Sequence, residues 1–222
     1  IVIFFSDNGG NTHSRIGPNE LPPTNNSPLR GGKATIYEGG TREPLIVRWP
    51  GVVESGSRCS QVVSSVDFYP TILEITRAKP KQGQILDGES ILPLLRQSGK
   101  LKRQAIFCHF PHNTPATGNI ASTYIRSENW KLIRFYHDGK AGNHRYELYN
   151  LAEDISEANN IAAKYPRKVR HLDALIEQHL KQTGALVPIP NPKYDPNAKP
   201  ERQNPAGNRN KPRERRQGGN GG

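Results

Sequence analysis

The residues with the clearest potential for chemistry stand near the start of the chain, where Asp7 and Asn8 follow five apolar residues. A carboxylate beside an amide oxygen is a pair of hard-oxygen donors, which suits Ca²⁺ or Mg²⁺. Gly9 and Gly10 would allow the backbone to turn sharply and to approach a ligand closely. Asp-Asn-Gly-Gly is also the composition of an ordinary turn, so these four residues alone leave both interpretations open.

The apolar run before them, residues 1–5, has no polar alternation. Such a run predicts a strand buried on both faces, the usual state of a central strand in a parallel sheet. Ligand sites in open α/β sheets gather at the carboxyl ends of strands, which is where Asp7 and Asn8 stand. A central strand needs neighbours and the sequence contains no Met, so we interpret the chain as the C-terminal part of a longer protein or as a product truncated at its start.

A long segment rich in Gly, Pro, Asn and Ser leads from Asp7 to Lys33. Loops of this length are uncommon inside compact domains and are often binding loops or lids. A lysine at the end of a Gly-rich loop suits a sulfate-like or phosphate-like anion, and a solvated loop lysine is the alternative. His13 lies within the same loop and could line the rim of such a pocket.

The elements that must position these residues begin with a second short strand at residues 44–49. A helix is expected next, with Asp67 at its N-cap and Pro70 in its first turn. A short helix is predicted at residues 90–96. We interpret residues 1–103 as the C-terminal section of an α/β domain.

The following residues, 104–184, have the pattern of a small α+β subdomain. Four short strands are predicted, at residues 105–110, 121–126, 130–136 and 146–151. Apolar residues then recur at helical spacing before a predicted stop at Gly184; they are Val169, Leu172, Leu175, Ile176 and Leu180. We predict an antiparallel sheet that is covered on one face by one long helix.

The last segment, residues 185–222, is rich in Pro, Gly and Asn. Residues 188–222 hold eight Lys/Arg against three acids, which is +5 of the total net charge of +11. We predict a disordered basic tail, because no apolar periodicity is present. Nucleic acid is not expected as a partner, since only Tyr194 could stack on a base. No window approaches the roughly 20 apolar residues of a membrane span.

The blocks IVIFFSDNGG and LRGGKATIYEGGTREPLIVRWPG together resemble the sulfatase family, of the arylsulfatase type in the alkaline-phosphatase-like superfamily. Four later blocks resemble the same family in the same order; they are VVSSVDFYPTILEITRA, LDGESILPLLRQ, YIRSENWKLIRFY and ELYNLAEDISEANNIA. The resemblance covers residues 1–182. It implies the closing part of an alkaline-phosphatase-like α/β sandwich, followed by the small subdomain.

The resemblance implies roles for several residues. The residues that match Asp7 and Asn8 ligate a divalent cation in this family, usually Ca²⁺, and the lysine that matches Lys33 contacts the sulfate group. Physical chemistry agrees, because a metal ion and an ammonium group neutralise the charge that builds up on a sulfate ester in the transition state. Glu38 and Arg42 belong to the same block and are expected to be structural, with Arg42 in an internal ion pair.

His109 and His112 stand where a predicted strand ends. In many family members this segment faces the substrate cleft, so a contact between His109 and the substrate is one interpretation. A strand-end histidine satisfied by the backbone is the other. Cys59 and Cys108 are too few and too separated for a metal site or a disulfide framework. Packed thiols are therefore expected, with a single bridge as the alternative.

One feature of the family pattern is missing from these residues. Sulfatases use a formylglycine made from the first residue of a C/S-x-P-x-R motif, and neither Cys59 nor Cys108 begins one. We expect the formylglycine and the other metal ligands in a preceding part of the protein. The chain alone should therefore be inactive, while its full-length parent hydrolyses a sulfate ester to an alcohol and sulfate.

The resemblance also implies a sulfated small molecule or carbohydrate as substrate and a periplasmic or extracellular location. Two other functions stay open from the residues. One is a phosphodiesterase or phosphonate hydrolase of the same superfamily. The other is a non-catalytic protein that binds acidic polysaccharide through its basic body and tail. The sequence carries no signature of the oligomeric state.

Overall fold

The computed structural model describes residues 1–12, 21–190 and 192 of the 222. The first strands, β1 (Val2–Phe5) and β2 (Leu45–Arg48), form a two-stranded sheet. Three short helices accompany it; they are α1 (Glu38–Thr41), α2 (Phe68–Thr76) and α3 (Leu92–Leu95). Within the described ranges, no helix has both the length and the apolar character that crossing a membrane requires.

Strand β1 differs from its prediction. It pairs antiparallel with β2, and within the described residues this is its only strand partner. Its side chains are largely exposed, with Val2 at 59% and Phe4 at 58%. The prediction of a parallel strand buried on both faces is therefore wrong for the described part of the chain. An apolar run is compatible with either direction of pairing, because the direction depends on which segment reaches the edge of the strand.

Helix α2 begins directly after Asp67, as predicted, but Asp67 has a larger role than a cap. Its carboxylate is fully buried and accepts hydrogen bonds from the backbone N–H groups of Ser64 at 2.7 Å and Glu89 at 2.9 Å. It also forms an ion pair with Arg103. Asp67 therefore ties α2 to the segments before α3 and before the second sheet.

The second sheet has four antiparallel strands in chain order; they are β3 (Ala105–Phe110), β4 (Ser122–Ser127), β5 (Trp130–Phe135) and β6 (Arg145–Asn150). Each strand agrees with its prediction to within one residue at either end. The long helix α4 (Pro166–Thr183) begins on a proline and ends before Gly184, which has a left-handed φ of 62°. The stop at Gly184 is as predicted; the start at Pro166, a residue type that suits the first turn of a helix, was not predicted from the sequence.

The two faces of this sheet bury different parts of the chain, because successive side chains of a strand point to opposite faces. One face packs against α4; its buried residues are Ile125, Leu132 and Leu148, which pack with Leu172, Ile176 and Leu180. The other face packs against Ile36; its buried residues are Tyr124, Ile133, Phe135, Tyr149 and Leu151. The segment after Lys33 is therefore part of the core of the second sheet.

The structure groups residues 1–190 into one unit. The boundaries predicted at 103/104 and 184/185 stay predictions. Residues 185–190 of the predicted tail make contacts, since the backbone carbonyls of Leu186 and Pro188 accept hydrogen bonds from His109 and His137. Apart from residue 192, the rest of the predicted disordered tail lies outside the described residues.

Candidate active site

Glycine-to-glycine packing brings the segment after β1 against the segment before β2. The Lys33 N–H donates to the carbonyl oxygen of Gly10 at 3.0 Å, and the Gly9 N–H donates to the carbonyl oxygen of Gly40 at 3.2 Å. A β-carbon at Gly9 would lie 1.9 Å from the carbonyl oxygen of Gly39. Only glycine permits so close an approach. The backbone of Lys33 is therefore bonded to the segment that carries the predicted metal ligands.

Asn26 lies at the centre of this packing. Its Nδ2 atom lies 3.1 Å from the carbonyl oxygen of Gly10, 3.1 Å from that of Gly31 and 3.0 Å from that of Gly39. A side-chain amide has two N–H donors, so three carbonyl groups share them. Sequence reasoning missed Asn26, because it stands in a Pro- and Asn-rich loop where no motif distinguishes it from its neighbour Asn25.

Asp7 and Asn8 contact each other at an accessible position. The Asn8 Nδ2 donates to Asp7 Oδ2 at 2.6 Å, and the Ser6 hydroxyl donates to the Asn8 carbonyl oxygen at 3.0 Å. Asp7 is exposed and Asn8 is half-buried. Their side-chain oxygens therefore stand together where a ligand could reach them.

Glu43 places a second carboxylate near Asp7. Burial raises the pKa of Glu43, a hydrogen bond with Ser6 lowers it, and the negative charge of Asp7 raises it again. The Oε1 atom of Glu43 is buried and has no hydrogen-bond partner among the described residues. Negative charge is therefore in local excess beside Asp7, where a cation would be stabilised.

The residues present fit a hard cation in kind but not in number. Carboxylate and amide oxygens are the ligands that Ca²⁺ takes, and it takes about six to eight of them. Across residues 1–12 and 21–190, no group of three or more His, Cys, Asp and Glu is arranged to hold a metal ion. Asp7 and Asn8 can therefore form one part of a calcium site.

Lys33 is exposed on a tight turn that Thr35 closes. The Thr35 N–H donates to the carbonyl oxygen of Gly32 at 3.0 Å, and the Thr35 hydroxyl donates to the same oxygen at 2.8 Å. Ala34, which lies between Gly32 and Thr35, has a φ of 64°, a left-handed conformation that is uncommon for a residue with a β-carbon. We call residues 32–36 the Lys33 turn.

A buried ion cluster follows the Lys33 turn. The ammonium nitrogen of Lys131 lies 2.9 Å from Glu38 Oε1 and 2.9 Å from Glu157 Oε1, and all three side chains are buried. Arg126 and Arg42 lie 3.3 Å and 3.5 Å from Glu38 Oε2. The internal ion pair predicted for Arg42 is confirmed, and so is the structural role predicted for Glu38.

The two carboxylates of this cluster differ in their electrostatics. Burial alone would raise the pKa of Glu38, but Lys131, Arg126 and Arg42 together hold it below its usual value. Burial raises the pKa of Glu157, and Lys131 offsets only part of that effect. Glu157 Oε2 also accepts a hydrogen bond from the Glu38 backbone N–H at 2.6 Å. The cluster therefore fastens α1 to the second sheet.

His109 lies on the face of the second sheet that is opposite to Ile36. It follows Phe107 by two residues on β3, and Phe107 packs with α4. The His109 Nδ1 lies 2.7 Å from Thr123 Oγ1, and its Nε2 lies 2.9 Å from the Leu186 carbonyl oxygen. The structure does not bring His109 to the Lys33 turn. The substrate contact stays a prediction, and the observed contacts match the alternative of a satisfied strand histidine.

Among the described residues, His112, Cys59 and Cys108 take no part in the contacts above. His13 lies outside the described residues. His112 is exposed, and its ring centroid lies 4.0 Å from that of Phe110. Cys59 and Cys108 are both free thiols, and Cys59 is exposed rather than packed.

Comparison with known proteins assigns the family. The family described as N-sulphoglucosamine sulphohydrolase, C-terminal, matches residues 32–185, which is more than half of the chain. This chain belongs to the sulfatase family. The match includes Lys33, the buried ion cluster, the second sheet and α4, so the resemblance noted in the sequence is confirmed.

Individual relatives agree with the assignment. A protein named sulfatase from Formosa agariphila is 38% identical over 198 residues, which cover 84% of this chain and 33% of that protein. An N-acetylglucosamine-6-O-sulfatase from Bacteroides thetaiotaomicron is 34% identical over 156 residues, which cover 68% of this chain and 27% of that protein. The chain therefore spans about a third of the length of the curated sulfatases it matches.

A solved structure extends the likeness to the fold. It holds a protein in complex with its substrate D-glucosamine-2-N,6-O-disulfate, and it superposes with a TM-score of 0.55 at 33% identity. The superposition covers 66% of this chain and 30% of that one. The predicted α/β fold class of the sulfatase type is confirmed.

Proposed function

We propose that the protein containing this sulfatase-family chain is a sulfuric ester hydrolase, and that residues 1–222 carry part of its active site. The observation that carries this proposal is the hydrogen bond from the Lys33 backbone N–H to the carbonyl oxygen of Gly10, which stands two residues after Asn8. It joins an exposed lysine to a pair of oxygen donors. A cation and an ammonium group near one another would bind a sulfate group from two sides.

In this mechanism Lys33 binds the non-bridging oxygens of the sulfate group through its ammonium. Those oxygens carry the negative charge of the sulfate group, so a fixed cation beside them helps to stabilise the charge that develops in the transition state. Asp7 and Asn8 hold two positions of a Ca²⁺ site, with Mg²⁺ as the second choice, and the bound ion would supply further positive charge toward the sulfate. We assign the formylglycine nucleophile and the remaining ligands to residues outside this chain.

We propose a sulfated carbohydrate as the substrate class. Support comes from the relatives, which include an N-acetylglucosamine-6-O-sulfatase and a protein bound to a glucosamine disulfate. A periplasmic or extracellular location fits such a substrate and is part of the same proposal.

The test compares two esters of one alcohol. The protein containing this chain is assayed for release of inorganic sulfate from glucosamine 6-sulfate and of inorganic phosphate from glucosamine 6-phosphate. Faster release of sulfate supports the proposal if the rate of sulfate release falls in Lys33→Ala. The rate should not fall in the control Lys102→Ala, which changes an exposed lysine that is remote from Lys33 in the sequence. Faster release of phosphate would favour a phosphohydrolase instead.

Binding of acidic polysaccharide is a second candidate function, and a cationic surface favours it. Basic side chains cluster at the start of α4; they are Lys164, Arg167, Lys168, Arg170 and His171. Among the described residues, none of them forms an ion pair with a carboxylate. Four of these five side chains line a shallow cavity of about 530 Å³ together with Tyr165 and Pro166.

This second candidate is tested on a heparin column with residues 1–190, which omit residues 191–222 of the basic tail. Retention that falls in Lys164→Glu and Lys168→Glu, and that stays unchanged in Lys181→Glu, would support it. Retention that is equal in all three variants would reject this surface as the binding site. Counterion release predicts that retention declines steeply with added salt.

A further inference from the structure

We infer that Thr117 and Asn119, in the loop between β3 and β4, are positioning residues for Lys33. The inference rests on the proposed function, because it assigns to this loop the task of holding the lysine that binds the sulfate group. The loop, residues 111–121, belongs to the second sheet and reaches the Lys33 turn with two side chains.

Two hydrogen bonds join the loop to the Lys33 turn. The Thr117 hydroxyl donates to the carbonyl oxygen of Ala34 at 2.9 Å, and the Asn119 Oδ1 accepts from the Ile36 N–H at 3.0 Å. Ala34 and Ile36 are the first and third residues after Lys33. Together with the bond from the Lys33 N–H to Gly10, these two hydrogen bonds hold the backbone on both sides of the lysine.

These hydrogen bonds stabilise a backbone conformation at Ala34 that the turn would not adopt without them. Ala34, with its φ of 64°, is in a left-handed conformation that is unfavourable for an L-residue with a β-carbon. Such a residue keeps its conformation only where the surroundings hold it, and this pattern is common at functional sites. Release of the Ala34 carbonyl would let the turn relax and change the position of the Lys33 side chain.

The loop is itself well fixed, so it can act as a support. Asn119 is 7% exposed, and its Nδ2 donates to the Ile120 carbonyl oxygen at 3.1 Å. Its own carbonyl oxygen accepts from the Thr114 N–H at 2.8 Å. Ile36, which Asn119 holds, is 1% exposed in the core of the second sheet. The position of Lys33 is therefore set by the second sheet as well as by the glycine packing.

A double-mutant cycle in the protein that contains this chain separates positioning from general stability. Its variants are Thr117→Val, Asn119→Ala, Lys33→Ala and the two doubles that include Lys33→Ala, and kcat and KM are measured on a sulfate ester. If the loop acts through Lys33, each loop variant lowers kcat/KM by roughly 10-fold to 100-fold. The same loop variants then have less than about a twofold effect when Lys33 is already alanine.

Two further variants sharpen the result. Thr117→Ser keeps the hydroxyl donor and should retain activity. Asn113→Ala is the matched control, because the Asn113 Oδ1 accepts a hydrogen bond from Ala121 within the same loop and does not reach the Lys33 turn. Equal losses of kcat/KM with and without Lys33 would overturn the inference, and so would a loss in Thr117→Ser that equals the loss in Thr117→Val.

A failure of the proposed function is distinguishable from a failure of this inference. If the unmodified protein releases no sulfate, the proposed function fails, and amide hydrogen exchange then decides the positioning role. Exchange at Ile36 should be about tenfold or more faster in Asn119→Ala than in Asn113→Ala, since only the former removes its acceptor. Equal exchange rates at Ile36 in the two variants would overturn the inference.

Discussion

The ammonium nitrogen of Lys131 lies 2.9 Å from a carboxylate oxygen of Glu38, and 93 residues of sequence separate the two buried side chains. The same ammonium lies 2.9 Å from Glu157. Lys131→Met would leave both carboxylates buried without their shared cation. Loss of one partner of a buried ion pair costs about 3–5 kcal/mol, so we expect a fall of that size in the free energy of unfolding, measured by urea denaturation.

Lys181→Met is the control for that prediction. Lys181 is exposed near the end of α4 and forms no ion pair in the described part of the chain. Its replacement should change stability by less than about 0.5 kcal/mol. Losses of similar size in the two variants would mean that the buried cluster does not fasten α1 to the sheet.

The two carboxylates of the cluster should respond differently to neutralisation. The pKa of Glu38 is lowered on folding, so its charge adds stability above the unfolded pKa, and this contribution is lost as pH falls through the folded pKa. The pKa of Glu157 is raised, so its protonated form adds stability below the unfolded pKa, and this contribution is lost as pH rises through the folded pKa. At neutral pH, Glu38→Gln should therefore destabilise the fold more than Glu157→Gln.

The measurement is the free energy of unfolding of both variants across an acid titration. The difference in free energy of unfolding between the two variants should narrow as pH falls from the usual pKa of a glutamate toward the lowered pKa of Glu38. Over this range the unfolded chain takes up the proton first, and the charge of folded Glu38 is lost only below its own pKa. A gap that is absent at neutral pH, or that widens toward acid, would contradict the electrostatic difference between the two side chains.

Asn26→Asp tests the three-carbonyl contact. The change removes the amide donors and places a negative charge beside the carbonyl oxygens of Gly10, Gly31 and Gly39. A buried acceptor without its donor costs about 1–3 kcal/mol, so the melting temperature should fall and exchange of the Lys33 amide should accelerate. Asn25→Asp is the matched control, since its side-chain oxygen still accepts from the Ser27 N–H and should leave both readouts unchanged.

Gly39→Ala tests the close packing of the glycine segments. A β-carbon at Gly39 would lie 2.4 Å from the carbonyl oxygen of Gly31, so the backbone around the Lys33 turn would have to move. A β-carbon at Gly51 would have no atom within 4 Å, so Gly51→Ala should be destabilised only by the left-handed φ of 79°, at a cost of about 1–2 kcal/mol. Gly39→Ala should therefore lower the melting temperature more than Gly51→Ala, and equal effects would show that the segments can separate without cost.

The second sheet and α4 follow from the sequence because their patterns are local. The spacing of Leu172, Ile176 and Leu180 places one apolar stripe on a helix, and Gly184 ends it through a left-handed conformation that glycine adopts freely. The environment of β1 does not follow from its residues. Its apolar run is consistent with burial on both faces, whereas pairing with β2 and exposure of Val2 and Phe4 depend on tertiary contacts.

The candidate site also contains residues whose roles the sequence predicts and residues whose roles it does not. Asp7, Asn8 and Lys33 stand in blocks that resemble a known family, so the sequence predicts their roles. The residues that hold them do not form a motif. Asn26 is an ordinary loop asparagine in the sequence, and Asn119 reaches Ile36 across 83 residues. Contacts of that range depend on the folded chain and leave no periodicity to detect.

Asp7 and Lys33 are proposed to serve one sulfate ester site in different ways, and a calcium titration of the protein containing this chain separates their roles. Asp7→Ala removes an oxygen ligand, so excess Ca²⁺ should restore part of kcat/KM on an aryl sulfate. Lys33→Ala removes an electrostatic donor to the sulfate oxygens, so the rate should fall by ~10²–10³ and added Ca²⁺ should not restore it. Rescue of Lys33→Ala by Ca²⁺, or indifference of Asp7→Ala to Ca²⁺, would contradict the account.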